Sequence, residues 1–236
     1  MQSASARLAR VRLRPYGLVA FAARTLPRVG YETMQRFVWM LGIALGIALF
    51  MAHAQADAPA ATKLSQRELS EVMQRPDTLI DALGWRDAAG EHVAAFWQRI
   101  DARGGNARLQ VDLWSGKPAK PKKLIRSIKD GVQRCEFDLV AEYVAAATGL
   151  TDLDADGIAE LTFAYRTTCT SDVSPLTLKL LVLEQGAKYI VRGSTRVDVG
   201  GGELTGGEHQ PDGALKKQPA FAAHAEAVWA KVVGPE

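Results

Sequence analysis

The residues best placed to do chemistry lie in "TDLDADGIAELTF", residues 151–163. Asp152, Asp154 and Asp156 alternate along the chain, Gly157 follows, and Glu160 closes the acidic run. Counted from Asp152, carboxylates fall at positions 1, 3, 5 and 9, with glycine at 6. A hard cation such as calcium takes about six to eight oxygens at roughly 2.3–2.6 Å, and a chain folding around it offers alternate side chains. Gly157 permits the sharp turn this needs, and the carbonyl of Ile158 would then face the ion. The run contains no nitrogen or sulfur ligand, which argues against zinc or copper. Three aspartates within five residues also repel one another, an arrangement that a bound cation would relieve. The spacing predicts a structural Ca2+ site formed by Asp152, Asp154, Asp156, Ile158 and Glu160. The competing reading is a polar turn in which Asp156-Gly157 simply reverses the chain.

No other constellation points to catalysis. Nucleophilic catalysis needs a base beside the nucleophile, yet His92, His209 and His224 sit in no recognised serine, cysteine or metal motif. His224 falls in a helical pattern as a surface or interface residue, and His209 stands unexplained in a glycine-rich stretch. Nucleotide-binding loops and the G-x-S-x-G elbow are absent from the sequence. No catalytic or organic-cofactor residues are assigned. Asp172, in "CTSDVSP", is read as a turn cap. Trp85, Trp97 and Trp114 could stack on a sugar, but tryptophans in strand patterns more commonly pack in a core.

The elements that must position the acidic loop are mostly strands. "TLIDALGW" and "HVAAFWQRI" flank a hairpin connection containing Gly90, and "ARLQVDLW" and "KKLIRSIKD" follow. Asp130-Gly131 reads as a turn before "VQRCEFDLVAEY". After the acidic loop come "ELTFAYRTTC", "LTLKLLVLEQ" and "YIVRGSTRV". About eight strands with short connections predict a mainly β fold, an antiparallel meander sheet. Ser65 and Glu68 form a capping-box pattern for a short N-terminal helix over "SQRELSEVMQR". The stretch 199–218 reads as a glycine-rich loop and "KPAKPKK" (117–123) as a solvated loop. Pro219 opens a C-terminal helix over 219–233, in which Phe221, Ala225, Val228, Trp229 and Val232 share one face. That helix is expected to cover the sheet.

Composition divides the chain. Met34, Arg36, the apolar run from Phe37 to Met51 and the small residues after it describe a secretory signal peptide over 34–56. Cleavage is expected after Ala54 or Ala56, and residues 1–33 read as an over-extended N-terminus. Residues 57–76 read as a mobile tail with the short helix, and 77–236 as a single β-rich domain. The net charge of +3 hides a split. Residues 1–56 hold seven arginines and one glutamate, whereas the remainder has 22 basic and 25 acidic side chains, a net of −3. The basic balance therefore belongs to the leader and gives no reason to expect nucleic-acid binding. A periplasmic or secreted location follows from the signal, with no membrane span after cleavage. Cys135 and Cys169, an even pair in an oxidising compartment, are expected to form a disulfide, each on the apolar face of a strand.

The match of the acidic loop to an EF-hand stops at Phe163, which stands at position 12 in place of the bidentate glutamate. The loop instead resembles the D-x-D-x-D-G-x-x-D calcium loops of FG-GAP (integrin-propeller type) repeats, with Glu160 in the last position. One copy does not imply a propeller. The order "WRDAAGEH" (85–92), "DLW" (112–114), "CEFD" (135–138), the acidic loop with "C-x-x-D-V-S-P" (169–175), "KYIVRGSTRV" (188–197) and "GGEHQPD" (206–212) resembles a group of small exported bacterial proteins. Some of these are labelled surface-polysaccharide biosynthesis proteins. The resemblance implies a β-rich exported domain with the acidic loop and the cysteine pair. The first reading is a non-enzymatic binding or structural protein that meets an envelope protein or a glycan. The alternative is a hydrolase or transferase acting on polysaccharide through carboxylates that spacing alone does not reveal.

Overall fold

Strands with apolar residues on both faces cannot lie in one open sheet without leaving one face wet. "HVAAFW" and "LTLKLLVL" are such strands, and the fold buries them between layers. The computed structural model describes residues 58–234. These residues fall in one compact unit, in which two five-stranded antiparallel sheets dominate. The expected signal peptide and the expected over-extended start lie outside the described residues.

The first sheet has the order β1-β2-β3-β4-β5: β1 (Thr62–Lys63), β2 (Thr78–Asp87), β3 (Gly90–Asp101), β4 (Asn106–Lys117) and β5 (Lys120–Val132). The second has the order β12-β9-β8-β7-β6: β6 (Asp138–Thr151), β7 (Glu160–Thr170), β8 (Thr177–Glu184), β9 (Ala187–Ser194) and β12 (His209–Pro211). β10 (Arg196–Asp198) and β11 (Leu204–Gly206) form a separate ribbon, and helix α1 (Pro219–Val232) follows. The single eight-strand meander expected above is thus corrected to two sheets, with the chain crossing between them at 133–137.

Period two explains the layers. Phe96, Leu109, Val111 and Leu113 from the first sheet meet Leu161, Phe163, Leu181 and Leu183 from the second in a shared core. On the outer face of the second sheet, Ala164, Leu178, Leu180, Val182 and Val191 pack against Phe221, Ala225, Val228, Trp229 and Val232 of α1. The helical spacing is confirmed, and α1 covers the second sheet. Leu69 and Met73 cover the outer face of the first sheet at Val93, Ala95 and Trp97.

The N-terminal helix is also corrected. Residues 66–68 and 71–73 form two 3-10 turns, although the Ser65 N–H does donate to Glu68 Oε2 at 2.7 Å. Asp130-Gly131 is no turn; both residues pair with β4. A Cβ on Gly131 would lie 2.0 Å from the Ala107 carbonyl oxygen, so glycine serves close strand approach there. "KPAKPKK" likewise lies in the β4–β5 hairpin, with only Pro118 and Ala119 outside the strands. Within 199–218 the chain forms β11, β12 and a 3-10 turn at Leu215–Lys217.

Candidate metal centre

The acidic loop joins β6 to β7 and folds by bonding its own carboxylates to its own backbone. Asp152 Oδ2 accepts from the Gly157 N–H at 3.1 Å, and Asp156 Oδ1 accepts from the Ile158 N–H at 2.7 Å. Gly157 has φ +81° and Ala155 φ +60°, so two left-handed residues tighten the turn. Asp152, Asp154 and Asp156 each place a carboxylate oxygen within 4.8 Å of the others. Asp152 Oδ1 is buried without a hydrogen-bond partner among the described residues.

Glu160 opens β7 and is fully buried, at 0% exposure. It accepts from Thr151 Oγ1 at 2.8 Å and from the Leu153 N–H at 3.0–3.1 Å, which holds the loop's entry. Burial pushes its carboxyl up to about 7; those hydrogen bonds oppose the shift, and the charge on Asp154 adds to it. The structure adds a residue that spacing did not show. Glu184, at the end of β8, joins Asp154 and Glu160 in a second group with oxygens within 4.8 Å. Burial raises its pKa, and Asp154, Asp156 and Asp152 raise it further. Glu184 ends a strand pattern 24 residues after Glu160, so only the β7–β8 pairing brings it here. Both groups could hold a metal ion, and oxygen-only ligands suit a hard one.

The loop rests on the first sheet. The Ala159 N–H donates to Asp87 Oδ2 at 3.1 Å, and the Ala88 N–H donates to the Gly157 carbonyl at 2.8 Å. Asp87 also accepts from Trp85 Nε1, from the Ala89 and Gly90 N–H groups, and lies 3.2 Å from His92 Nε2. The segments "WRDAAGEH" and "TDLDADGIAE" therefore meet in space. Compared with family models, curated proteins and solved structures, the chain matches none. The site must be judged on its own geometry.

The remaining candidates resolve as structure. Cys135 and Cys169 form the expected disulfide, with Cα atoms 5.6 Å apart. Cys135 nevertheless precedes β6 rather than lying in a strand, and Cys169 is exposed. Trp97 is 1% exposed and Trp85 7%, and they belong to different cores, so the tryptophans make no common sugar platform. Asp172 accepts from Thr170 Oγ1 and Ser174 Oγ at 2.5 Å each, a link between side chains across the exposed β7–β8 connection. His209 stacks on Trp229 with ring centroids 4.7 Å apart and lies 2.8 Å from Glu226, tying β12 to α1. His224 lies 3.0 Å from Thr162 Oγ1 under the same helix, at the sheet–helix interface. Among the described residues no helix is long and apolar enough to cross a membrane.

Proposed function

We propose that this chain is an exported cell-envelope domain, periplasmic or secreted, stabilised by calcium in the 152–160 loop and acting as a non-enzymatic binding or structural protein linked to surface polysaccharide. One observation carries the cation reading. Asp152, Asp154 and Asp156 form one close group of carboxylates, Asp154, Glu160 and Glu184 form a second that shares Asp154, and one Asp152 oxygen is buried with no donor among the described residues. A cluster of that kind is costly until a cation joins it. The exported location is supported by the signal-like leader and by the disulfide, a bond that persists in oxidising compartments.

The reading as a polysaccharide hydrolase or transferase has the raised pKa values of Glu160 and Glu184 in its favour. Glu160 is sealed from solvent, however, so no glycosidic oxygen reaches it. Calorimetric titration of the chelator-stripped protein with calcium tests the proposal, with Asp154→Ala as control. One-to-one binding lost in the variant is the expected result. No heat, and no rise in melting temperature at millimolar calcium, would reduce the loop to a polar turn.

A further inference from the structure

The densest run of positive charge among the described residues lies along one hairpin. Residues 115–129 carry Lys117, Lys120, Lys122, Lys123, Arg126 and Lys129, with no acidic residue among them. Residues 57–236 have a net charge of −3, so everything outside this stretch stands at −9 (−3 minus 6). Lys117 ends β4 and the other five lie on β5, which also carries Asp130 beyond them, pairs only with β4 and ends the first sheet. All six side chains belong to exposed residues. Lys117 lies 3.8 Å from Glu91, and Arg126 Nε donates to the Gly186 carbonyl. The other four lysines have no ion-pair partner among the described residues. From Lys120 to Lys129 the charges extend over about 30 Å at the rise of a strand. Past Lys129 lies an open depression of about 520 Å3, lined also by Arg108, which is paired with Asp77, by Asp130, which is paired with Lys179, and by Gln133.

We propose that this β5 edge is the binding surface for an extended acidic polysaccharide, a chain bearing carboxylate or other anionic groups at intervals. The proposal rests on the envelope-glycan reading above but uses a surface separate from the cation loop. Lysines are point charges on flexible stems, suited to anions spaced along a chain rather than to one forked group. The strand carries no aromatic side chain, so it offers no stacking platform of the kind that holds single-stranded nucleic acid. Gln133 beside Arg108 adds amide hydrogen bonding suited to hydroxyls. Lysines on an edge strand also discourage strand addition by another chain, and the test must separate the two roles.

The experiment compares binding of alginate, neutral dextran and single-stranded DNA to the full chain, in chelator, so that calcium bound by alginate plays no part. The variant is Lys120→Gln/Lys122→Gln/Lys123→Gln/Lys129→Gln. The expected result is alginate binding that weakens steeply with salt and is at least tenfold weaker in the variant, with melting temperature and oligomeric state unchanged. Dextran should not bind. The proposal is overturned if the variant binds alginate like the parent, including the case where it only self-associates. It is equally overturned if DNA binds as tightly as alginate, or if parental binding ignores salt, a readout that needs no variant. If dextran binds as well as alginate, this proposal fails while the glycan reading stands. If neither glycan binds, both fail, and the calcium titration still reports separately on the loop.

Discussion

Asp87 and Ala159 join the two sheets at one end of the sandwich: the Asp87 carboxylate accepts the Ala159 N–H at 3.1 Å. That carboxylate is 1% exposed and takes three further donors, from Trp85, Ala89 and Gly90. A buried acceptor with this many partners holds the loop as a clasp would. Asp87→Ala leaves those donors without an acceptor, at about 1–3 kcal/mol each where they stay dry. The expected outcome is a lower melting temperature and a smaller calcium-induced rise, read by thermal unfolding with and without calcium. An unchanged rise would show that the loop organises itself without the β2–β3 hairpin.

Glu184 separates a cation site from a polar turn in a way the aspartates do not. Among the described residues it takes no part in the loop's own side-chain-to-backbone hydrogen bonds, so removing its charge leaves the turn intact. Without cation, Glu184→Gln relieves like-charge repulsion and should leave the melting temperature unchanged or raised. With calcium the same variant should bind about tenfold more weakly, a loss of about 1.4 kcal/mol. Calorimetry and paired melting curves check both arms. A variant that binds calcium like the parent would place the ion away from Glu184.

The disulfide closes the one crossing between the sheets. Cys135 and Cys169 are 34 residues apart in sequence, and a closed loop of that size stabilises by about 4 kcal/mol in the chain-entropy model. The double variant Cys135→Ala/Cys169→Ala is expected to lose about 2–4 kcal/mol in urea unfolding, with calcium affinity retained because the loop lies at the other end of β6 and β7.

How much of this was legible in the sequence depended on whether the signal was local. The hairpin at Gly90, the α1 face from Phe221 to Val232 and the acidic spacing are local patterns, and all three are present. The cysteine pairing followed from count and compartment. What was lost needed partners distant in sequence. Both-face apolarity in β3 and β8 shows a buried strand but not which layers bury it, so two sheets read as one. Asp130-Gly131 resembles a turn dipeptide, but β4 pairs with it and overrides the local preference. Glu184 carried no motif at all; register with β7 alone recruits it.

Asp130 supplies a pH test independent of the cation site. It faces the second sheet, where Lys179 Nζ and Tyr165 OH both donate to its Oδ2. Burial alone would raise its pKa. The bonds from Lys179, Tyr165 and the Gly131 N–H, with the Lys179 charge, outweigh burial and hold the carboxyl below its ordinary value. A carboxyl depressed in the folded state contributes stability above its unfolded pKa of about 3.9, and that stability is lost as pH falls through the folded value. Lys179→Met removes the ammonium and leaves burial to push Asp130 upward. The variant should therefore be less stable than the parent at pH 7, and the gap should shrink as pH approaches 3. Urea unfolding at both pH values measures it. A gap of equal size at pH 7 and pH 3 would mean that Lys179 acts through its contact with the Tyr165 ring, 6.0 Å from Nζ to centroid, rather than through the ionised Asp130.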